Sequence, residues 1–193
     1  MEAARVASLR GHEVTLYDKG KELGGQLEIA GALTSLGRNK LLWVRGYLKT
    51  QLKKQGVRVE LGHEVTADEV SKAKPDVVVV ATGAQPEIPD IPGIKNRKVI
   101  TAWDILGGKQ KVTNQSVAVL GGNRDGCEVA AFLIEQGNHV TIIKEQSTLP
   151  NDMEILNRQV LLNKLREYKV PVLAGQRVVG ITDEGVGIVD IVT

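Results

Sequence analysis

The sequence predicts an α/β fold with a largely parallel sheet, in which one βαβ theme occurs twice. Strand-like apolar runs alternate with helical patterns along the 193 residues, which is typical of parallel sheets because helices connect their strands. The segments EAARVASLRGHEVTLYD and EVAAFLIEQGNHVTIIK also align without a gap, pairing Glu2 with Glu128 and Asp18 with Lys144. The same helix, glycine turn and strand therefore occur twice.

The strands are predicted from apolar and β-branched runs. In chain order these runs are EVTLYD, VRVEL, DVVVVATG, SVAVLGG, HVTIIK and VPVLAG, followed by the hairpin-like VVGITDEGVGIVDIV. The four valines at 77–80 predict a strand buried in the core. PEIPDIPGI is too rich in proline for a central strand, so we expect it to mark the exit from the first repeat.

Two longer helices are predicted between these strands, over residues 38–55 and 153–168. In the first, we expect Gly56 to end the helix. Its apolar side chains are spaced so that they lie near one face: Leu41, Leu42, Val44, Leu48 and Leu52.

Composition excludes several classes of protein. The single cysteine, Cys127, rules out an internal disulfide framework, a C-x-x-C pair and a thiolate-bound cluster within these residues, and we expect it to be a small packed residue. The three histidines are too scattered to predict a metal site. A net charge of +2 gives no argument for nucleic acid, and no apolar run approaches the roughly 20 residues of a membrane span. We therefore expect a cytoplasmic protein.

GGNRDG follows a predicted buried strand and opens a predicted helix. Its glycines, Gly121, Gly122 and Gly126, are placed for close backbone approach to a diphosphate at a helix N-terminus, although a tight structural turn is the alternative. Asn123 replaces the middle glycine of G-x-G-x-x-G; asparagine tolerates left-handed backbone angles. Arg124 either contacts phosphate or lies on the surface.

The residue after the following strand bears on the choice of cofactor. Lys144 stands where an acid would indicate NAD, and Glu145 follows it. Lys144 would favour NADP by pairing with a 2′-phosphate, whereas Glu145 would favour NAD by binding the ribose. The third interpretation is that Lys144 is a solvated lysine at a strand end.

The first repeat offers a second set of candidates. Asp18 closes EVTLYD, where a carboxylate can accept from both hydroxyls of an adenosine ribose. The next segment, KELGGQL, permits close backbone approach at Gly24 and Gly25 and supplies the amide of Gln26. At the end of DVVVVATG, the small residues Thr82 and Gly83 are placed to pass beside a diphosphate.

The repeats also differ. In the second, SVAVLGGNRDG precedes the helix, and the corresponding strand and turn of the first would fall before Met1. We therefore expect a fragment with two incomplete domains: one at 1–108 without its first strand and glycine loop, and one at 109–193 truncated at its C-terminus.

Four segments, taken in order, resemble a known family: GHEVTLYDKGKELGGQL, DVVVVATGAQPEIPDIPGI, VITAWDIL and SVAVLGGNRDGCEVAAFLIEQGNHVTII. They are similar to the C-terminal nucleotide-binding region of NADH:flavin oxidoreductases related to 2,4-dienoyl-CoA reductase and trimethylamine dehydrogenase. The resemblance implies two Rossmann-like, three-layer ββα domains in tandem, a FAD-binding domain at 1–108 and an NAD(P)-binding domain at 109–193. It also implies an N-terminal barrel similar to Old Yellow Enzyme, outside these residues, with FMN and usually a 4Fe-4S cluster.

The resemblance implies roles for individual residues. Asp18 would hold the adenosine ribose of FAD, Gly25 and Gln26 would line the flavin nucleotide, Val65 would meet the adenine through its backbone, and Gly83 would lie by the diphosphate. Glu128 and the glycines of GGNRDG would belong to the NAD(P)H site. The complete set of cofactor-binding candidates is Asp18, Lys19, Gly24, Gly25, Gln26, Arg38, Val65, Ala81, Thr82, Gly83, Gly121, Gly122, Asn123, Arg124, Gly126, Glu128 and Lys144.

The resemblance implies an oxidoreductase that passes a hydride from NAD(P)H to FAD. Electrons then pass through the barrel to an unsaturated or amine substrate. The expected partners are nucleotide cofactors and the barrel of the same chain, with a homo-oligomer left open. No catalytic side chain is named, and the fragment alone is expected to be inactive. The alternatives are a structural ADP-binding module, favoured by Asn123 and Lys144, and, with less support, a disulfide reductase of the thioredoxin reductase type.

Overall fold

The computed structural model describes residues 1–33, 37, 39–148 and 153–191. The helices are α1 (Glu2–Leu9), α2 (Gln26–Gly31), α3 (Lys40–Lys54), α4 (Ala67–Ala73), α5 (Ala102–Leu106), α6 (Arg124–Glu135) and α7 (Ile155–Glu167). The strands are β1 (Thr15–Asp18), β2 (Arg58–Leu61), β3 (Ser116–Leu120), β4 (His139–Ile143), β5 (Val172–Leu173), β6 (Gln176–Ile181) and β7 (Val186–Asp190).

The chain divides into two compact units. The first contains residues 1–32 and 38–85, and the second contains residues 33–37 and 86–193. The change from the first to the second unit at residue 86 coincides with the start of PEIPDIPGI. By its contacts, the segment 86–108 belongs to the second unit, although the sequence analysis placed it in the first domain. The assignment of two tandem nucleotide-binding domains stays a prediction.

In the first unit, β1 and β2 pair in parallel, from Thr15 with Arg58 to Asp18 with Leu61. Helix α1 is tied to the end of α3, because the Ser8 hydroxyl donates to the Gln55 carbonyl at 3.2 Å. The predicted stop after α3 is confirmed: Gly56 has a φ of +68°, which suits glycine at a helix C-terminus.

The predicted apolar face of α3 is only partly buried. Leu48 and Leu52 lie in the core, whereas Val44 is half exposed. Of the five apolar residues predicted to lie near one face, Val44 is therefore much more exposed than Leu48 and Leu52. Its position lies on the side of the helix that also exposes Trp43 and Tyr47, so the buried stripe is narrower than the spacing indicated.

The second unit contains the larger core. Strands β3, β4 and β5 form a parallel sheet in that order, with Ser116 opposite His139 and Ile142 opposite Val172. Helices α6 and α7 pack with this sheet through buried residues such as Leu133 and Leu161. Strands β6 and β7 form the predicted antiparallel hairpin. The predicted α/β class with parallel sheets is therefore confirmed.

The predicted core strand at residues 77–80 is wrong. These four valines are in no strand, and their side chains are between 52% and 80% exposed. A buried parallel strand needs neighbours for its backbone groups and apolar cover for its side chains. Among the described residues, no backbone–backbone hydrogen bond involves residues 77–80. Among the described residues, the apolar run is therefore unpaired and open to solvent.

Within the part of the chain that the structure describes, none of the helices combines the length and the apolar character that crossing a membrane requires.

Candidate functional site

The first candidate site is the turn that connects β3 to α6. The amide of Gly121 donates to the carbonyl of Ile143 at 2.9 Å, so the turn begins beside the carboxyl end of β4. Gly121 has a φ of +105°, a backbone angle that strongly favours glycine. The turn thus lies at the sheet edge where open α/β sheets bind ligands.

Two further glycines allow the turn to pack closely. A Cβ on Gly126 would overlap the carbonyl oxygen of Gly121, and a Cβ on Gly122 would lie 2.6 Å from Cδ of Lys144. Because the Gly121 carbonyl belongs to the backbone, a side chain at position 126 would displace the turn itself. Gly126 therefore holds the first turn of α6 against the strand that precedes it.

Asn123 caps α6. Its side-chain oxygen accepts from the Gly126 amide at 3.0 Å, and its backbone is extended, with φ −71° and ψ −175°. The left-handed angle that asparagine tolerates is not used here. Arg124 follows on the first turn of the helix, exposed, and donates through Nε to Asp125 at 3.1 Å.

Lys144 lies against this turn. Its side chain is buried, and its Nζ donates to the carbonyls of Gly122, at 3.5 Å, and Thr148. Its backbone is held as well, because its amide donates to Leu173 and its carbonyl accepts from Gln176. The reading of Lys144 as a solvated strand-end lysine is therefore wrong.

Glu145 follows Lys144 and is exposed. Its carboxylate accepts from Nε of Arg177 on β6 at 2.9 Å. Arg177 was not predicted as a site residue, because only the hairpin of β6 and β7 brings it to the end of β4. The carbonyl of Thr148, four residues after Lys144, was not predicted as a partner of the lysine either.

Two candidates in α6 are buried. Glu128 is among the buried charged residues, and Cys127 is fully buried, which confirms that this cysteine is a packed residue. The thiol of Cys127 lies 3.7 Å from the carbonyl of Gly122. Both side chains therefore belong to the inner side of the helix that the glycine turn opens.

Asp18 stands at the corresponding strand end in the first unit. Its Oδ1 accepts from the Gly20 amide at 2.8 Å, and its backbone carbonyl accepts from the His63 amide at 3.1 Å. These bonds fix the turn after β1 and use one carboxylate oxygen. Lys19 is exposed beside it, with its Nζ 3.7 Å from the Glu64 carboxylate.

The structure brings Gln26 and Gly83 together, although 57 positions separate them in the sequence. Gln26 Nε2 donates to the Ala84 carbonyl at 3.2 Å, and a Cβ on Gly83 would lie 2.7 Å from the same nitrogen. Gly83 also has a φ of +78°. Close packing and a left-handed backbone angle both favour glycine at this position.

The neighbouring glycines differ in their surroundings. Gly24 has a φ of +128°, and a Cβ there would overlap the side chain of Arg45, which pairs with Glu28. Gly25, with a φ of +48°, faces open space. Val65, Ala81 and Thr82 are exposed. Arg38 lies outside the described residues.

The two sites differ in what surrounds their glycines. In the second unit, the glycine turn opens directly at the N-terminus of α6, where backbone amides and the helix dipole favour negative charge. In the first unit, a Cβ on Gly25 would meet no atom within 4 Å. The assignment of single residues to a cofactor stays a prediction.

Comparisons with known proteins show the family of the chain. The sequence profile of the family described as pyridine nucleotide-disulphide oxidoreductase matches residues 1–193. An NADH oxidase of Thermoanaerobacter brockii is 39% identical over 192 residues, which are 98% of this chain and 29% of that protein.

Two solved structures have a fold similar to that of this chain. A 2-naphthoyl-CoA reductase in complex with 2-naphthoyl-CoA has a TM-score of 0.88 and 33% identity over 98% of this chain and 28% of that one. The 6-hydroxypseudooxynicotine amine oxidase of Pseudomonas geniculata N1 has a TM-score of 0.83 and 28% identity over 98% and 30%. The chain thus spans less than a third of each of these relatives.

Proposed function

Because the chain belongs to the pyridine nucleotide-disulphide oxidoreductase family, we propose that it is the nucleotide-binding part of a flavin-dependent NAD(P)H oxidoreductase. The family and the oxidoreductases similar to it make the chain part of an oxidoreductase, and they agree with the resemblance found in its motifs. The activity of the whole protein is part of the proposal, since the chain covers a minor share of these relatives.

The two repeats have different roles in this proposal. The second unit binds NAD(P)H at the glycine turn, and the first unit binds FAD, with Asp18 toward the adenosine ribose and Gly25 and Gln26 toward the flavin nucleotide. When bound, the nicotinamide supplies a hydride and the flavin accepts it, while the protein contributes placement and electrostatics. No side-chain acid or base of the chain is required for that transfer.

The observation that carries the proposal is the packing of Gly126 against the Gly121 carbonyl. This contact holds the N-terminus of α6 directly behind the turn, so that a diphosphate at the turn meets the helix amides.

The names of the similar proteins support a substrate class. One reduces an aromatic acyl-CoA and another oxidises an amine. We therefore propose that electrons continue, in the remainder of the protein, through an Old Yellow Enzyme-like barrel with FMN and a 4Fe-4S cluster to an unsaturated or amine substrate. Disulfide chemistry is not proposed, because the single cysteine of the chain is buried and cannot form a dithiol pair within it.

Replacing Gly126 with alanine tests the site. The added Cβ displaces the Gly121 carbonyl, so we expect the variant chain to bind NADH about tenfold more weakly by isothermal titration calorimetry. Gly185→Ala is the matched control, because a Cβ there meets no atom within 4 Å. Thermal unfolding establishes that both variants are folded at the assay temperature. Equal NADH affinity in the two variants would contradict the proposed role of the turn.

A further inference from the structure

The ammonium group of Lys144 is buried beside the glycine turn and bonded to backbone carbonyls. Only 5% of the residue is exposed, and Nζ donates to the Gly122 and Thr148 carbonyls. Its aliphatic chain fills the space beside Gly122 that a side chain would otherwise occupy. A buried ammonium needs such partners, because an unpaired buried charge is costly. Lys144 therefore closes the turn and is not placed to bind a 2′-phosphate.

Glu145 is the charged residue that directly follows Lys144 after β4. It is exposed and directly follows the residue that packs on Gly122. An acidic residue about 20 positions beyond a glycine turn is where dinucleotide sites bind the ribose hydroxyls of NAD. Carboxylate oxygens accept hydrogen bonds from hydroxyl groups, but they repel a phosphate group that carries nearly two negative charges.

Arg177 is the cation that faces Glu145 from the neighbouring hairpin. Its Nε donates to the Glu145 carboxylate at 2.9 Å, and both side chains are about half exposed. A 2′-phosphate would have to compete with this carboxylate for the guanidinium group. The pair fixes Glu145 at the strand end and reduces the attraction of Arg177 for a second anion.

We propose that the second unit selects NADH over NADPH, with Glu145 as the residue that determines this specificity and Lys144 as a residue that holds the glycine turn. This inference rests on the proposed function, since it names the nucleotide of the same site. It resolves the choice between Lys144 and Glu145 that the sequence left open.

The test compares NADH and NADPH binding to the 193-residue chain by isothermal titration calorimetry. We expect NADH to bind about tenfold more tightly than NADPH. In Glu145→Gln, which removes the negative charge at an exposed position, we expect NADPH affinity to rise and the ratio to fall toward one. In Lys144→Met we expect no selective loss of NADPH, because the lysine does not meet the 2′-phosphate.

Arg177→Gln is the control for the opposite assignment, in which Arg177 would bind the 2′-phosphate of NADPH. We expect it to leave NADH the preferred nucleotide. Tighter binding of NADPH to the unmodified chain, or a selective loss of NADPH in Lys144→Met or Arg177→Gln, would overturn this inference while leaving the proposed function intact. If neither nucleotide bound, the proposed function would be overturned, and this inference with it. Because Glu145→Gln changes an exposed residue, its result does not depend on how Lys144→Met folds.

Discussion

Glu69 organises the start of α4, just beyond the candidate adenine contact at Val65. Its carboxylate accepts from the amide and the hydroxyl of Thr66, at 2.7 and 2.9 Å, and pairs with Nε2 of His63 at 3.0 Å. In return, the Thr66 hydroxyl accepts from the Glu69 amide. The Thr66 amide, followed by the Thr66 hydroxyl and His63, lowers the pKa of Glu69 below its ordinary value of 4.5. This capping box fixes where α4 begins.

We predict that Glu69→Ala lowers the Tm of the chain by a few degrees at pH 7. A carboxylate whose pKa is lowered by folding stabilises the fold above its unfolded pKa, near 4.5, and loses that effect as pH falls through the lower folded value. The difference in Tm between the two proteins should therefore shrink at pH 3. Thermal unfolding followed by circular dichroism at both pH values measures it.

The control for this prediction is Glu64→Ala. Glu64 makes a long, exposed pair with Lys19 at 3.7 Å, and such pairs contribute little to stability. We expect its Tm to stay close to that of the unmodified chain at both pH values. An equal Tm difference for Glu69→Ala at pH 7 and pH 3 would show that the ionised carboxylate is not what stabilises α4.

At the scale of whole elements, β4 and the valine segment at 77–80 are similar in sequence but opposite in environment. Both are short apolar runs rich in β-branched residues. Strand β4 lies between β3 and β5, and Ile142 is fully buried. The valine segment has no pairing partner among the described residues. Apolar character alone therefore does not place a strand in the core, because burial depends on elements that cover both faces.

We predict that Ile142→Ala lowers the free energy of unfolding much more than Val79→Ala does. Losing a fully buried side chain leaves a cavity, so the free energy of unfolding should fall by about 2–5 kcal/mol in Ile142→Ala. Val79 is 66% exposed, and Val79→Ala should change it by less than about 0.5 kcal/mol. Urea unfolding of the two variants measures both values. A large loss in Val79→Ala would show that the valine segment is covered in solution.

At the scale of the whole molecule, the two units differ in how closely their glycines pack against backbone. In the second unit, Gly126 is held against a backbone carbonyl, and the glycine turn leads directly into α6. Among the described glycines of the first unit, none is held this closely against backbone. We therefore predict that the first unit offers a diphosphate fewer closely packed backbone donors than the glycine turn of the second unit does.

We predict that the 193-residue chain binds FAD weakly and shows no NADH-dependent turnover by itself. Titration of the purified chain with FAD, followed by the change in flavin fluorescence, measures the affinity. NADH titration of the same sample shows whether the second unit retains its own site. Formation of a tight, stoichiometric yellow complex would contradict this prediction.

Much of the fold could be predicted because its determinants are local. The runs that became β1 to β7, the glycine after α3, the hairpin and the glycine turn before α6 are each recognisable within a few residues. The internal repeat placed Asp18 and Lys144 at equivalent strand ends, which the parallel registers of β1 and β4 support. Local pattern and repetition were sufficient for these features.

By itself, the sequence determined the α/β class, the parallel strands of both repeats and the position of the glycine turn, since propensity and spacing encode them. Only the tertiary structure decided that Lys144 is buried against Gly122, that Arg177 meets Glu145 and that the valines at 77–80 are exposed. These features depend on atoms from segments far apart in the sequence. Burial and charge pairing are properties of the assembled surface, so no local pattern could specify them.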